Sequence, residues 1–111
     1  RPKGSIAPIA TWTPHSSMNG VALRPETSPL PGGNTTVYAT VYGSWNSIVP
    51  RGHEIVQIDL DANNGEVIGT TSVFAEDLGT PLPIAFHPNG DLYFAVFGSN
   101  GKLYKITATL T

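Results

Sequence analysis

The chain has 111 residues and no cysteine, which excludes disulfide frameworks, cysteine-ligated zinc and thiol nucleophiles. Six basic residues stand against eight acidic ones with no block of like charge, so neither nucleic acid nor a membrane surface is an expected partner. No apolar run approaches the roughly 18 residues that a membrane-spanning helix needs. With 12 glycines, 10 prolines and 40% apolar residues, the composition favours an ordered all-β fold.

Taken in chain order, the pattern predicts strands and no helix. Residues 20–23 are wholly apolar, which is typical of a strand buried on both faces. Residues 54–60 alternate, which predicts a half-buried strand, and residues 61–65 and 89–90 carry the Asn-Gly chemistry of turns. The predicted strands are residues 6–13, 20–23, 37–42, 54–60, 67–74, 84–86, 92–97 and 102–110.

An internal repeat predicts the architecture. Residues 21–25 match 84–88, residues 37–44 match 92–99, and residues 54–58 match 102–106. A repeated four-stranded meander is the signature of a β-propeller, with the apolar first strand of each blade lining the central channel. We therefore expect about two four-stranded blades of a six-bladed β-propeller. Residues 1–14 would hold the last strand of a preceding blade, 15–77 one blade, and 78–111 most of the next.

Two blades alone would expose apolar faces and unpaired strand edges. The expected partners are therefore either the rest of a parent propeller or further copies of the same chain. Three copies of two blades would form a six-bladed ring.

Several segments, in this order, resemble the C-terminal blades of pyrroloquinoline-quinone (PQQ) sugar dehydrogenases, a group that includes the L-sorbosone and fungal pyranose dehydrogenase-like proteins. The resemblance covers nearly the whole chain, and its most specific part is the Gly-Ser-Trp-Asn of residues 43–46 with the strand that follows. The segments are residues 14–20, 42–46, 50–56 and 81–93.

The resemblance implies a secreted oxidoreductase with PQQ on the top face of a six-bladed propeller, usually with calcium. It would oxidise a sugar hydroxyl or aldehyde and pass the electrons to an acceptor. The catalytic base would lie in earlier blades, so no catalytic residue is assigned here. This chain would supply part of the cofactor rim through His15, Trp45, Asn46, Arg51 and Thr80.

Two positions differ from the family pattern. The family usually has arginine at the positions of Ser47 and Thr80. Arginine binds carboxylates bidentately, and PQQ is a polycarboxylate, so both substitutions weaken the expected PQQ site. Arg51 is the candidate replacement for one of these arginines.

The same residues also have structural explanations. Trp45 and Asn46 in a loop suit a sugar face and its hydroxyls, but the tryptophan could equally cover a gap between blades. His15 could contact a cofactor or cap the next strand. His53 and His87 are expected to be structural, and the three histidines lack metal-ligand spacing, so no metal site is predicted.

The segment Asn34-Thr35-Thr36 is an N-glycosylation sequon in a predicted surface loop. It favours an extracellular glycoprotein whose secretion signal lies outside this chain. The alternative to an enzyme is a carbohydrate-binding, lectin-like propeller or a non-catalytic scaffold, assembled from several copies of the chain.

Overall fold

The computed structural model describes residues 8–12, 17–43, 53–63, 66–98 and 101–108. These residues form an all-β structure of two antiparallel sheets, and in each sheet consecutive strands are neighbours. No helix in the described ranges is long and apolar enough to cross a membrane. The first sheet contains β1 (Met18–Leu23), β2 (Thr36–Val41), β3 (Glu54–Asn63) and β4 (Glu66–Ala75). The second contains β5 (Pro81–Phe86), β6 (Leu92–Val96) and β7 (Lys102–Ile106).

Seven of the predicted strands are confirmed, with different bounds. β3 runs through Asn63, so most of the turn predicted over residues 61–65 is strand; residues 64–65 lie outside the described ranges. β5 begins at Pro81, three residues before the predicted start, and carries Pro83 as well. Both prolines are tolerated because β5 pairs only with β6, on an edge where a missing N–H disrupts no second ladder.

The strand predicted over residues 6–13 is not observed in the part that the structure describes. Residues 8–12 lie outside both sheets and make one backbone hydrogen bond to the first sheet, from Gly69 N to Ile9 O at 2.7 Å. Pro8 has no N–H to donate to a ladder, which weakens pairing here. The indole of Trp12 donates to Glu54 Oε1 at 2.8 Å and fastens the segment across β3.

Each sheet has an inner face, turned toward the other sheet, and an outer face. On the inner face of the first sheet, Tyr38 and Ile55 form a core with Leu92 and Phe94 of the second sheet. On the outer face of the first sheet, Ala39, Val41, Val56 and Ile58 form a smaller cluster, partly covered by Ala10 and Trp12. The alternation of the strands thus produces two apolar layers on the first sheet, one on each side.

Two burial predictions were wrong. The strand at 20–23 was expected to be buried on both faces, yet Val21 and Leu23 are each 63% exposed. The strand at 54–60 was expected to be half-buried, yet Ile55 and Val56 are both fully buried on opposite faces. What covers each face explains both results: Ile55 packs against the second sheet and Val56 lies in the cluster under Ala10 and Trp12, whereas Val21 and Leu23 are left exposed.

Aromatic packing joins the sheets at the fully buried Tyr38. Its ring meets Phe74 edge-on at 4.9 Å and Phe86 at 5.4 Å between centroids. Such pairs contribute about 0.5–1.5 kcal/mol each beyond the burial of apolar area. The sheets approach each other most closely where β1 and β2 contact β5.

Candidate functional site

Strand polarity brings the strand ends that flank the predicted site residues to one end of both sheets. The start of β1, the end of β2 and the start of β3 are neighbours, because Met18 and Glu54 both oppose Val41. In the second sheet, Pro81 and Lys102 both oppose Val96. We call this end, with Ser17, Gly43, His53, Thr80 and Phe97, the upper end.

Of the five predicted cofactor residues, the structure describes Thr80. Its hydroxyl donates to the carbonyl of Phe97 at 2.5 Å, and its own carbonyl accepts from Phe97 N at 2.9 Å. Thr80 therefore closes the β5–β6 pair, and its hydroxyl oxygen still has lone pairs for a ligand donor. The residues His15, Trp45, Asn46, Ser47 and Arg51 lie outside the described ranges.

His53 joins the two connections that meet at the upper end. Its N–H donates to Val41 O at 2.8 Å, and its carbonyl accepts from Leu78 N at 2.9 Å. Its Nδ1 lies 2.7 Å from Gly79 O, which requires a proton on Nδ1 because a carbonyl only accepts. These contacts agree with the predicted structural role of His53, and they leave Nε2 without a part in this network.

Gly43 makes the position of His53 possible. Its φ is +119°, and a Cβ there would overlap the His53 imidazole. The sequence analysis did not single out this pair. Their positions in the sequence could have indicated the pair, because Gly43 is the second residue after β2 and His53 is the residue just before β3.

An aromatic pair crosses the upper end from one sheet to the other. The rings of Tyr42 and Phe97 lie 6.3 Å apart, and Phe97 is 64% exposed. Tyr42 N donates to Ser17 O at 2.8 Å, so this hydrogen bond connects the residue just before β1 to the aromatic pair. Lys102, at the start of β7, is exposed at the same end.

At the opposite end, a buried arginine organises the loop between β1 and β2. The Arg24 guanidinium donates to the carbonyls of Leu30 at 2.8 Å and Gly33 at 3.3 Å, and also to those of Ser28 and Pro25. Because these acceptors are backbone groups, Arg24 is a structural residue of the loop. It was not identified from the sequence, where it matches His87 in the repeat.

This loop also fastens the two sheets. Ser28 Oγ donates to Gly90 O at 2.7 Å, and Thr27 Oγ1 donates to Pro88 O at 2.9 Å. The turn predicted at residues 89–90 is confirmed, with Gly90 at φ +98°. A Cβ on Gly90 would lie 2.5 Å from Ser28 Cα, so only glycine allows the loop to approach.

Below the Arg24 loop, a polar network reaches the inner face of the first sheet. Tyr38 donates its hydroxyl proton to Pro31 O at 2.5 Å, and burial raises the pKa of Tyr38 to about 12; Arg24 opposes this shift and Asp59 reinforces it. Asp59 Oδ1 accepts from Thr36 Oγ1 at 2.8 Å and from Gln57 Nε2 at 3.1 Å. Asp59 is thus held by its sheet neighbours.

The predicted glycosylation residue, Asn34, is exposed in the turn that precedes β2. The neighbouring Thr35 donates its hydroxyl proton to Leu60 O at 2.8 Å, and Thr36 is 2% exposed. An exposed turn is the location that glycan attachment requires. Modification of Asn34 stays a prediction.

A cavity of about 210 Å³ lies beside the β4–β5 connection and is lined by Asp77, Leu78, Phe94 and Tyr104. The rings of Phe94 and Tyr104 are stacked at 5.3 Å, and Tyr104 is 44% exposed. An aromatic face beside a carboxylate suits a ring that is apolar on one side and carries hydroxyl groups.

Within the described ranges, no group of three or more histidine, aspartate or glutamate side chains is arranged to hold a metal ion. The upper end offers the aromatic pair and the Lys102 ammonium, whereas the protons of the Thr80 hydroxyl and of His53 Nδ1 are already donated to carbonyls. Comparisons with protein-family models, with curated proteins and with solved structures found no match to this chain.

Proposed function

We propose that the chain forms two consecutive blades of a six-bladed β-propeller in a secreted, PQQ-dependent sugar dehydrogenase-like protein. In this proposal the propeller oxidises a sugar hydroxyl or aldehyde, and the upper end of these blades forms part of the cofactor rim. The observation that carries the proposal is that the strand ends flanking the segments with the predicted cofactor residues lie together at one end of the structure.

The stacking of the two meanders supports the blade assignment. Each meander begins with the strand nearest the other sheet, since β1 and β2 approach β5 most closely. β4 lies at the far edge of its sheet. Sheets that are close at their first strands and apart at their last strands have the wedge geometry that a propeller repeats around its axis.

The chemistry of the upper end supports the cofactor assignment. The exposed ring of Phe97 beside Tyr42 would stack against a planar ring system, and Lys102 would attract a carboxylate. Arg51 would add a bidentate carboxylate contact. When bound, PQQ would supply the electron acceptor for sugar oxidation, while these residues would bind and orient it.

A PQQ titration of the complete six-bladed propeller that contains this chain, with and without calcium, tests this proposal by calorimetry. We expect binding that Arg51→Ala weakens about tenfold or more, because a charge-assisted contact is lost. Lys105→Ala is the matched control, since Lys105 is an exposed cation on β7 away from the upper end. If no binding occurs under either condition, or if both variants weaken it equally, the cofactor assignment is wrong.

The second candidate is a non-enzymatic, carbohydrate-binding propeller, and the cavity beside Tyr104 favours it. A sugar ring would stack on Tyr104 while its hydroxyls donate to the Asp77 carboxylate. Saturation-transfer NMR with a panel of monosaccharides tests this. We expect a signal that Tyr104→Ala abolishes and Tyr104→Phe retains; equal signals from both variants would contradict it.

A further inference from the structure

Both outer faces of the structure carry exposed apolar side chains, although Ala10 and Trp12 cover part of the first. On the first sheet, Val21 and Leu23 are each 63% exposed, and Val67 and Val73 are about half exposed. On the second sheet, Leu103 is 71% exposed. It lines a groove of about 150 Å³ together with Pro83, Ala85 and Ala95.

The internal repeat relates the outer face of the first sheet to the inner face of the second. Val21 and Leu23 match Ile84 and Phe86 in the repeat. Ile84 and Phe86 are packed into the core between the sheets. The outer face of the first sheet therefore has the same side-chain pattern as the inner face of the second sheet. In the second sheet, that pattern is packed against the first sheet.

The reverse relation holds for the other open face. Leu103 matches Ile55 in the repeat, and Ile55 is fully buried on the inner face of the first sheet. Leu103 lies opposite Ala95 on the outer face of the second sheet. The contact between the two sheets is thus heterologous, because it joins two different surfaces. The outer face of each sheet is a second, exposed copy of one of these two surfaces.

We propose that the outer face of the second sheet binds the outer face of the first sheet in a second copy of this chain, head to tail. The contact would repeat the one already made between the two sheets. It rests on the blade assignment of the proposed function but does not depend on PQQ. A heterologous contact leaves one free face at each end of the assembly unless the copies close into a ring. The assembly would therefore be either a ring larger than a dimer or an open filament.

The segment of residues 8–12 does not block this contact. Ala10 and Trp12 cover part of the outer cluster on the first sheet. Phe74 and Leu78, at the end of β4 and just after it, pack in a similar way against the core between the sheets, and the two sheets are docked with both side chains present. A second copy can therefore dock with residues 8–12 in place.

The contact between copies should be weaker than the contact within the chain. Within the chain, the buried hydroxyl of Thr40 bridges to the carbonyl of Leu82 on β5. The repeat places Ala95 at the position of Thr40, and alanine has no hydroxyl. The association should therefore depend on protein concentration.

Two charge substitutions test the head-to-tail arrangement by native mass spectrometry and light scattering. Val21→Glu disables one face and Leu103→Glu disables the other, and both side chains are exposed enough to change without unfolding the chain. We expect each variant alone to be a monomer of 11.7 kDa. An equimolar mixture should form a heterodimer and nothing larger, because one competent pair of faces remains.

Ile68→Glu is the matched control, since Ile68 is a 47% exposed strand residue that lies on neither outer face. It should assemble as the unmodified chain does. A chain that stays monomeric at millimolar concentration would overturn the proposal, as would a Val21→Glu variant that still dimerises by itself. Circular dichroism verifies folding, and the PQQ titration separates failure of this contact from failure of the cofactor assignment.

Discussion

The hydroxyl of Thr40 on β2 donates to the carbonyl oxygen of Leu82 on β5, which places one side-chain hydrogen bond directly between the two sheets. The same hydroxyl oxygen accepts from Gly20 N at 3.0 Å. Thr40 is fully buried, and a Cβ on Gly20 would overlap Leu82 O. The close approach of β1 and β5 therefore depends on Gly20, which has no side chain, and on Thr40. The Thr40 hydroxyl forms hydrogen bonds with one backbone group of each strand, Gly20 N and Leu82 O.

Replacing Thr40 should test this bridge. Thr40→Val keeps the shape but leaves Gly20 N and Leu82 O without their partner, which should lower the free energy of unfolding by about 1–3 kcal/mol. Thr40→Ser keeps the hydroxyl and loses one methyl group, a cost of about 1 kcal/mol. Urea unfolding measures both. A Thr40→Val variant as stable as the unmodified chain would show that packing, and not the hydrogen bond, matters here.

Replacing Arg24 should release the loop between β1 and β2. Arg24→Met removes the donors to Leu30, Ser28 and Gly33, and should lower the free energy of unfolding by about 3 kcal/mol. Arg24→Lys should cost less because one cation is kept. Hydrogen exchange should accelerate first in residues 26–33. Lys105→Met, at an exposed position, is the control and should change stability by about 0.5 kcal/mol or less.

Stability should fall at alkaline pH because of Tyr38. Its pKa in the folded protein, about 12, lies above the ordinary value of 10.0, so the folded state holds the proton more tightly. The contribution of the neutral hydroxyl is complete below pH 10 and is lost as the pH rises toward 12. Tyr38→Phe should show a shallower decline over this interval. An identical decline in both proteins would contradict the assignment.

Gly43 and His53 should be energetically coupled. Gly43→Ala imposes an unfavourable φ and an overlap with the His53 ring, so it should cost about 2 kcal/mol or more. In a His53→Ala background the overlap is gone and only the backbone cost remains. A double-mutant cycle should give a coupling of about 1 kcal/mol. Additive losses would mean that the ring does not contact Gly43 in solution.

Secretion from a glycosylating host tests the sequon. The chain should gain glycan mass that Asn34→Gln removes, because Asn34 is exposed in its turn. Thr36→Ser is the control, since it preserves the sequon and a hydroxyl that can donate to Asp59. Unchanged mass in the unmodified chain would show that Asn34 is not modified.

Local pattern determined the strands better than their burial. Residues 37–42 were predicted within one residue of β2, because β-branched and aromatic side chains favour a pleated conformation wherever the strand lies. The start of β5 was predicted three residues too late, and Pro81 and Pro83 lie in the part that was missed. Only the pairing of β5 with a single neighbour makes them compatible with a strand.

Some features of the candidate site could likewise be predicted from the sequence, and others could not. The repeat and the Gly-Ser-Trp-Asn segment directed attention to residues near the upper end. The pairing of Gly43 with His53 and the Arg24 loop were not predicted, because each depends on atoms brought together across a strand or a loop.

The amino-acid sequence by itself determined an all-β chain, its strand order and two related sheets, since these follow from residue composition, alternation and repetition. Tertiary structure alone decided which apolar residues are buried. Ile55 and Leu103 occupy matching positions in the repeat, yet one is fully buried and the other is 71% exposed. The physical reason is that burial belongs to the contact between two sheets, and here a neighbouring sheet covers one of these faces and not the other.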